Sequence, residues 1–324
     1  MIKAILLFLC SGFILQAQSY APAAEQPGST AIPANSPDFV AWANGIILQR
    51  GLIDISNPLT EHEGSNYASY GLSVEALGEA SNNAVSLGDA GQAILTFETP
   101  IADGDGFDFA VFENGFSDTF LELAFVEVSS DGVNYFRFPS HSETQTDTQV
   151  GGFDTIDPTY INNLAGKYRA LFGTPFDLAD LEDDALLDKN NITHVKIIDV
   201  VGSIDPAYAT YDSFGNAIND PFTTPFYSSG FDLDGVGVIN QQVLGIEDDH
   251  IETISIYPNP ASNQLYFKTV ESVNVSVYNM LGKLVLSETV NANNAIKIES
   301  LKSGIYLVQI ESNGKVSQHR LIKK

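Results

Sequence analysis

The residues best suited to chemistry lie at Ala102–Asp108, where Asp103, Asp105 and Asp108 alternate with Gly104 and Gly106. Carboxylates on a tight glycine loop turn several oxygens onto one hard cation, and calcium takes six to eight of them. Glu113 and Asn114, just beyond, are further oxygen donors. The spacing lacks the full loop signature of an EF-hand. An acidic β-turn in which Asp108 caps backbone amides is the other open reading. Zinc has less support, because His62, His141, His194, His250 and His319 are scattered and have no cysteine partner. No G-x-S-x-G, H-E-x-x-H or G-x-x-x-x-G-K-[ST] motif occurs. Paired carboxylates, the reagents of a glycosidase, are the remaining hydrolytic chemistry.

Stacking is the second chemistry on offer. Trp42, Tyr135, Tyr208, Tyr211 and Tyr227 lie near polar segments, as do Tyr160 and Phe226. Such rings stack on a sugar or a flat cofactor while neighbouring acids and amides fix its orientation. Core packing is the alternative fate of each. Tyr208 and Tyr211 stand out because the Asp205–Asn219 stretch is polar, contains glycine and is flanked by strands.

These groups must be carried by strands. Ala93–Phe97, Phe107–Phe112, Leu121–Ser129, Tyr135–Phe138, His194–Val201 and Gly235–Ile239 are short, rich in β-branched and aromatic residues, and punctuated by Gly, Asp, Asn and Pro. In Leu121–Ser129, Leu121, Leu123 and Phe125 share one face and Glu122, Ala124 and Val126 the other. Ser129–Asn134 reads as a hairpin turn around Asp131-Gly132. Helical pattern is confined to Ile161–Arg169, Asp177–Leu187 and a turn at Pro37–Ala43. The expected fold is therefore all-β: a sandwich body with a short helical insertion, then a smaller β unit.

Both ends of the chain read as address labels. Met1-Ile2-Lys3, the apolar Ala4–Leu15 and Gln16-Ala17-Gln18 form a signal-peptide pattern over 1–17. Leu9 precedes Cys10 where a lipoprotein would have a small residue. Without Cys10 the mature chain has no disulfide, so stability rests on core burial and bound metal. Residues 18–252 carry 6 Lys/Arg against 37 Asp/Glu, while residues 253–324 carry 8 against 4. The change of sign separates an acidic body, 18–245, from a basic unit, 254–324, across the polar linker 246–253. A field this negative excludes nucleic acid and anionic lipid and suits divalent cations or a solvated surface.

The basic unit is similar to the type A C-terminal sorting domain of the type IX secretion system of Bacteroidota. The resemblance rests on Tyr257–Phe267 (YPNPASNQLYF), Val275–Ser287 (VSVYNMLGKLVLS), Leu301–Lys315 (LKSGIYLVQIESNGK) and the basic tail. It implies a small immunoglobulin-like sandwich with Tyr257, Pro258, Asn259, Pro260, Gly304, Tyr306, Lys323 and Lys324 in the sorting signal, and with Gly304 and Tyr306 at a bend. It also implies passage through the periplasm, recognition by the type IX secretion machinery, and release or attachment to a surface polysaccharide anchor. The body resembles galactose-binding-like, discoidin-type jelly rolls at Leu123–Phe138, His194–Gly202 and Phe231–Asn240. That likeness implies a jelly-roll-like sandwich in which Asp232 and Asp234 approach the Asp103 loop, with a sugar or small nutrient ligand. A weaker likeness, through the region from Gly104–Phe116 to Gly230–Asn240, is to corrinoid (vitamin B12) capture proteins working with an outer-membrane transporter. Surface ligand capture, calcium-stabilised, is the leading expectation, and glycan hydrolysis the rival.

Overall fold

Side-chain alternation along Phe109–Glu113 sets the architecture of the body: Phe109 and Val111 face one core, and Ala110 and Phe112 face another. In the computed structural model, residues 20–242, 254–268, 272–291, 294–312 and 315–324 are described. The chain forms two compact units, Met1–Gln242 and Val243–Lys324. The expected signal peptide, 1–17, and the expected linker, 246–253, lie outside the described residues.

The first unit is a sandwich of two antiparallel sheets. One runs in the order Ile32–Pro33, Phe172–Phe176, Phe109–Glu113, Asp232–Val238, Ala41–Trp42, with Val85–Ser86 also on Asp232–Val238. The other runs Gly45–Gln49, Gln92–Ile101, Ile192–Asp199, Ala124–Ser129, Phe136–Arg137. Between them lies the main core, including Phe109, Val126, Val128, Phe176, Val195, Ile197, Phe231 and Val236. Gly132 (φ +73°) turns the expected hairpin, with Asp131 accepting the Val133 and Asn134 N–H groups.

Leu121, Leu123 and Phe125 face away from the main core, against Val150, Ile156, Ile161 and Leu164 of the 139–191 insertion. Both faces of this stretch are thus buried, which is why its alternation reads imperfectly.

The helical expectations fail. In Ile161–Arg169 the chain pairs instead: Ile161–Asn162 lies against His141–Ser142, and Ala165 bridges Ala124. Gly166 (φ +83°) lies against the Glu122 carbonyl, so close that a Cβ would overlap it. Across Asp177–Leu187 only Leu178–Asp180 turns, as a 3-10 helix capped by Asp177 on the Ala179 N–H. Of the remaining acids, Asp184 caps the Leu186 N–H, Asp180 accepts the Asn163 amide and Asp183 pairs with Lys189. Near Pro37–Ala43, Ala41–Trp42 pairs with Gly237 and Val238. The Phe39 and Trp42 rings fill the space a side chain at Gly237 would need.

The second unit packs a three-stranded sheet (Ser255–Tyr257, Gln264–Lys268, Ala295–Lys297) with a four-stranded one (Leu284–Val290, Val273–Asn279, Gly304–Ser312, Lys315–Lys323) around one core. Val273–Asn279 and Leu284–Val290 pair about Met280–Lys283, as the sequence predicts. Asn259 pins the last strand, donating to the Arg320 carbonyl (2.6 Å) and accepting from the Ile322 N–H (2.9 Å). Gly304 and Tyr306 do not sit in a bend. They open a nine-residue strand, and the Tyr306 hydroxyl donates to the Lys302 carbonyl at 2.8 Å.

Candidate functional site

Register fixes which loops meet. Leu233 opposes Glu113, Gln92 opposes both Ile198 and Gln49, and Ala124 opposes Asp199. The Phe231 N–H donates to Asp199 Oδ1 (2.7 Å), joining the strand ends of the two sheets. One end of the sandwich therefore gathers the loops 50–91, 114–123 and 200–231.

This end is lined with buried carboxyls. Asp89 accepts from the Ile55 N–H (2.7 Å), Asp199 also from Ala90 (2.9 Å), Asp220 from Leu123 (2.8 Å) and Glu113 from Gly115 (2.7 Å). Asp232 accepts the Ser86 hydroxyl, and Asp234 the Ser81 and Asn82 N–H groups. Arg50 stands beside Asp232, with its guanidinium on the carbonyls of Tyr70, Gly71 and Ser86.

Burial dominates the electrostatics. It raises the carboxyls of Glu113, Glu122, Asp199 and Asp220 well above the ordinary range. Mutual repulsion reinforces this, Asp232 acting on Glu113 and Glu122, and Asp89 on Asp199. Burial also lifts Asp89 and Asp232 to about 7, against the opposing pull of an Ile55 N–H on the first and of Ser86 and Arg50 on the second. Desolvation that outweighs several hydrogen bonds favours the neutral carboxyl.

Aromatic rings from two of these loops and from the 139–191 insertion meet at the surface. His62 lies 5.4 Å from Tyr227 and 5.9 Å from Phe226, Tyr70 lies 5.7 Å from Tyr227, and Phe153 lies 5.6 Å from Phe226. The Tyr227 carbonyl accepts the Ser69 and Tyr70 N–H groups, which ties the two loops together. Phe153 is 74% exposed and Tyr227 is 37% exposed, so this shelf faces solvent.

The structure separates the residues singled out from sequence. Tyr227 belongs to the shelf. Trp42 packs on Phe39 and Phe112 at 5.0 and 5.2 Å. The Tyr135 ring lies under Lys196, 3.7 Å away. Tyr208 and Tyr211 occupy the 205–219 loop, where Ser213 binds Ser140 and Phe214 meets His141.

Asp103 and Asp108 meet Asp177, one oxygen from each lying within 4.8 Å of the others. Asp105 is not in this group. Asp108 Oδ1 accepts Gly104 N–H and the Asn240 amide, and its Oδ2 accepts Leu178 N–H, so it caps backbone as the second sequence reading holds. Asp232 and Asp234 do not approach. Val238 opposes Phe109 at the Asp103 end, whereas Asp232 begins the same strand six residues earlier, about 20 Å away.

Glu122, Asp89, Asp199, Asp220, Arg50, His62 and Tyr70 were missed from sequence. Acids inside apolar runs, such as Asp199 in Lys196–Val201, were the available signal.

Residues 255–324 match the family described as the secretion system C-terminal sorting domain. No curated protein matches the chain. Among solved structures, the BSP domain of a biofilm-associated protein is similar at 12% identity and a TM-score of 0.19, over 72% of this chain and 48% of that one. A Ruminococcus gnavus β-glucuronidase is similar at 9% and 0.23, over 90% and 46%. A Parabacteroides merdae β-glucuronidase is similar at 10% and 0.23, over 95% and 36%. The chain spans less than half the length of each, and TM-scores this low carry no argument about fold or activity. No helix among the described residues is long and apolar enough to cross a membrane. The protein is exported by type IX secretion, to the cell surface or the extracellular space, on the sorting domain at 255–324.

Two outcomes follow from this geometry. Carboxyls raised in the folded state bind protons that the unfolded chain has already lost, so body stability falls as pH rises from about 5 through 7. Thermal melts across pH 5–8 check this: the melting temperature drops over that window, and Asp89→Asn flattens the drop. For the tag, deleting 302–324 removes both strands of its final hairpin and leaves the chain in the periplasm. Fractionation of cells expressing the truncated protein measures it.

Proposed function

We propose that the body captures a carbohydrate, or a small nutrient of comparable flat shape, at the loop end of the sandwich. The observation that carries this is the exposed shelf of His62, Tyr70, Phe153, Phe226 and Tyr227, drawn from three loops and backed by carboxyls and Arg50. Rings on this shelf stack on a sugar or corrin face, and the loop carbonyls and acids orient polar substituents. Capture outside the cell suits delivery to an outer-membrane transporter. Calorimetric titration against a neutral oligosaccharide panel and a corrinoid tests the reading. Tyr227→Ala weakens the bound member about tenfold, the loss of roughly one aromatic contact, while Tyr211→Ala leaves it unchanged. No binding in either panel by folded protein sinks the reading.

A hydrolytic reading draws on one further feature: burial and the neighbouring Asp232 raise the Glu113 and Glu122 carboxyls well above the ordinary range, the direction a general acid needs. Reducing-sugar release that vanishes in Glu122→Gln supports this reading.

Calcium at Asp103, Asp108 and Asp177 is a structural proposal for the opposite end. Three carboxylates on neighbouring loops suit a hard cation. Binding to the folded state alone adds about 2.7 kcal/mol at one hundred times Kd. Melting temperature then rises with calcium, falls with chelator, and loses this response in Asp177→Asn. Equal melts in calcium and chelator leave Asp108 as a backbone cap.

A further inference from the structure

The sorting unit carries a second recognition surface, independent of the ligand site. On the outer face of its four-stranded sheet, Leu284, Tyr278, Leu307 and Arg320 are direct neighbours across the four strands. Towards the turn, Met280 (71% exposed), Leu281 (93%) and Ile305 (46%) extend the apolar ground. Two rows in the other direction the same face becomes polar, with Ser287, Ser276, Gln309 and Gln318 in register. The outer face of a solvated sheet carries polar residues throughout. Here half of it is apolar, and contiguous exposed apolar ground marks an interaction site.

Tyr278, Met280, Ile305, Leu307 and Arg320, together with Gln309 of the polar row, are among the residues lining a groove of about 660 Å³. Arg320 is its one charged liner, and no acid lines it. The Arg320 guanidinium makes no hydrogen bond or ion pair with the described residues; only its carbonyl is engaged, by Asn259. A free guanidinium beside an apolar floor favours an occupant that brings apolar side chains and a carboxylate.

We propose that this groove is the face by which the sorting unit docks on the type IX secretion machinery, receiving a machinery segment with apolar side chains and one carboxylate placed for Arg320. The role of the unit supplies the partner, and the lone cation of the groove supplies the charge complementarity. Met280 and Leu281 present the hairpin turn as an apolar knob at one end of the groove. Asn279 holds that knob in place by accepting the Leu281 and Lys283 N–H groups, both at 3.0 Å.

The test uses the full chain in a host that carries the machinery, with surface display read by antibody on intact cells. Arg320→Glu and the double variant Met280→Asp/Arg320→Glu are expected to lower display at least tenfold, with full-length protein accumulating in the periplasm. Arg320→Lys and Gln318→Glu, on the polar half, keep display. Melting curves of the purified variants show whether folding is intact, and the exposed single substitution Arg320→Glu guards against misfolding of the double. Unchanged display of a folded Arg320→Glu variant overturns the proposal. So does intact display accompanied by loss of self-association on size exclusion, or by loss of binding to lipid vesicles, since the groove would then serve a second copy or a membrane.

Discussion

Burying carboxyls where the strand ends of two sheets meet is the constraint on which the body depends. The loops 50–91, 114–123 and 200–231 have little repetitive pairing, so their buried N–H groups need acceptors from elsewhere. Asp89, Asp199, Asp220 and Glu113 supply them, each accepting at least one loop amide. Backbone approaches so closely that glycine is required: a Cβ at Gly202 would overlap Asp220 Oδ1, and one at Gly230 would lie 2.7 Å from Asp199 Oδ1. The cost is desolvation, which raises the pKa of each of these acids and of Asp232, the one beside which Arg50 stands.

Much of the fold was legible because it rests on local rules. β-Branched and aromatic runs between turn residues located six strands, Asp131-Gly132 located the hairpin, and the charge reversal separated the units. The helices were illegible for a physical reason. Ile161–Arg169 has helical propensity, yet Ala165 pairs with Ala124 and Gly166 lies against the Glu122 carbonyl. Long-range pairing overrides a weak local preference. In Asp177–Leu187, Asp177 and Asp184 find their N–H partners in short caps rather than in a continuous helix.

The site was legible only in part. Asp108 was visible as a candidate, and its alternative role as a backbone cap was equally visible. Asp177, its neighbour in space, lies 69 positions along the chain, and no spacing rule connects them. Asp232 and Asp234 look like partners of the Asp103 loop only if strand direction is ignored, because antiparallel pairing sends them to the far end. Tyr227 was singled out for its type and loop, whereas Tyr70 joins it through the Ser69 and Tyr70 N–H groups on its carbonyl, and His62 through ring contact at 5.4 Å.

These hydrogen bonds couple the shelf to the buried acids. Asp54 accepts the Ser56 and Asn57 N–H groups and Asp89 that of Ile55, so both acids shape the segment that leads to His62. Arg50 holds the Tyr70 carbonyl while facing Asp232. Tyr70 in turn contacts Tyr227. The rings therefore stand on a base whose charge changes near neutral pH. Ionising Asp89 adds its charge beside Asp199, and ionising Asp232 adds its charge beside Glu113 and Glu122, so the repulsion falls on the acids beneath these loops. Arg50 and Ile55, which belong to neither group, join the ring-bearing loops to the acids beneath them.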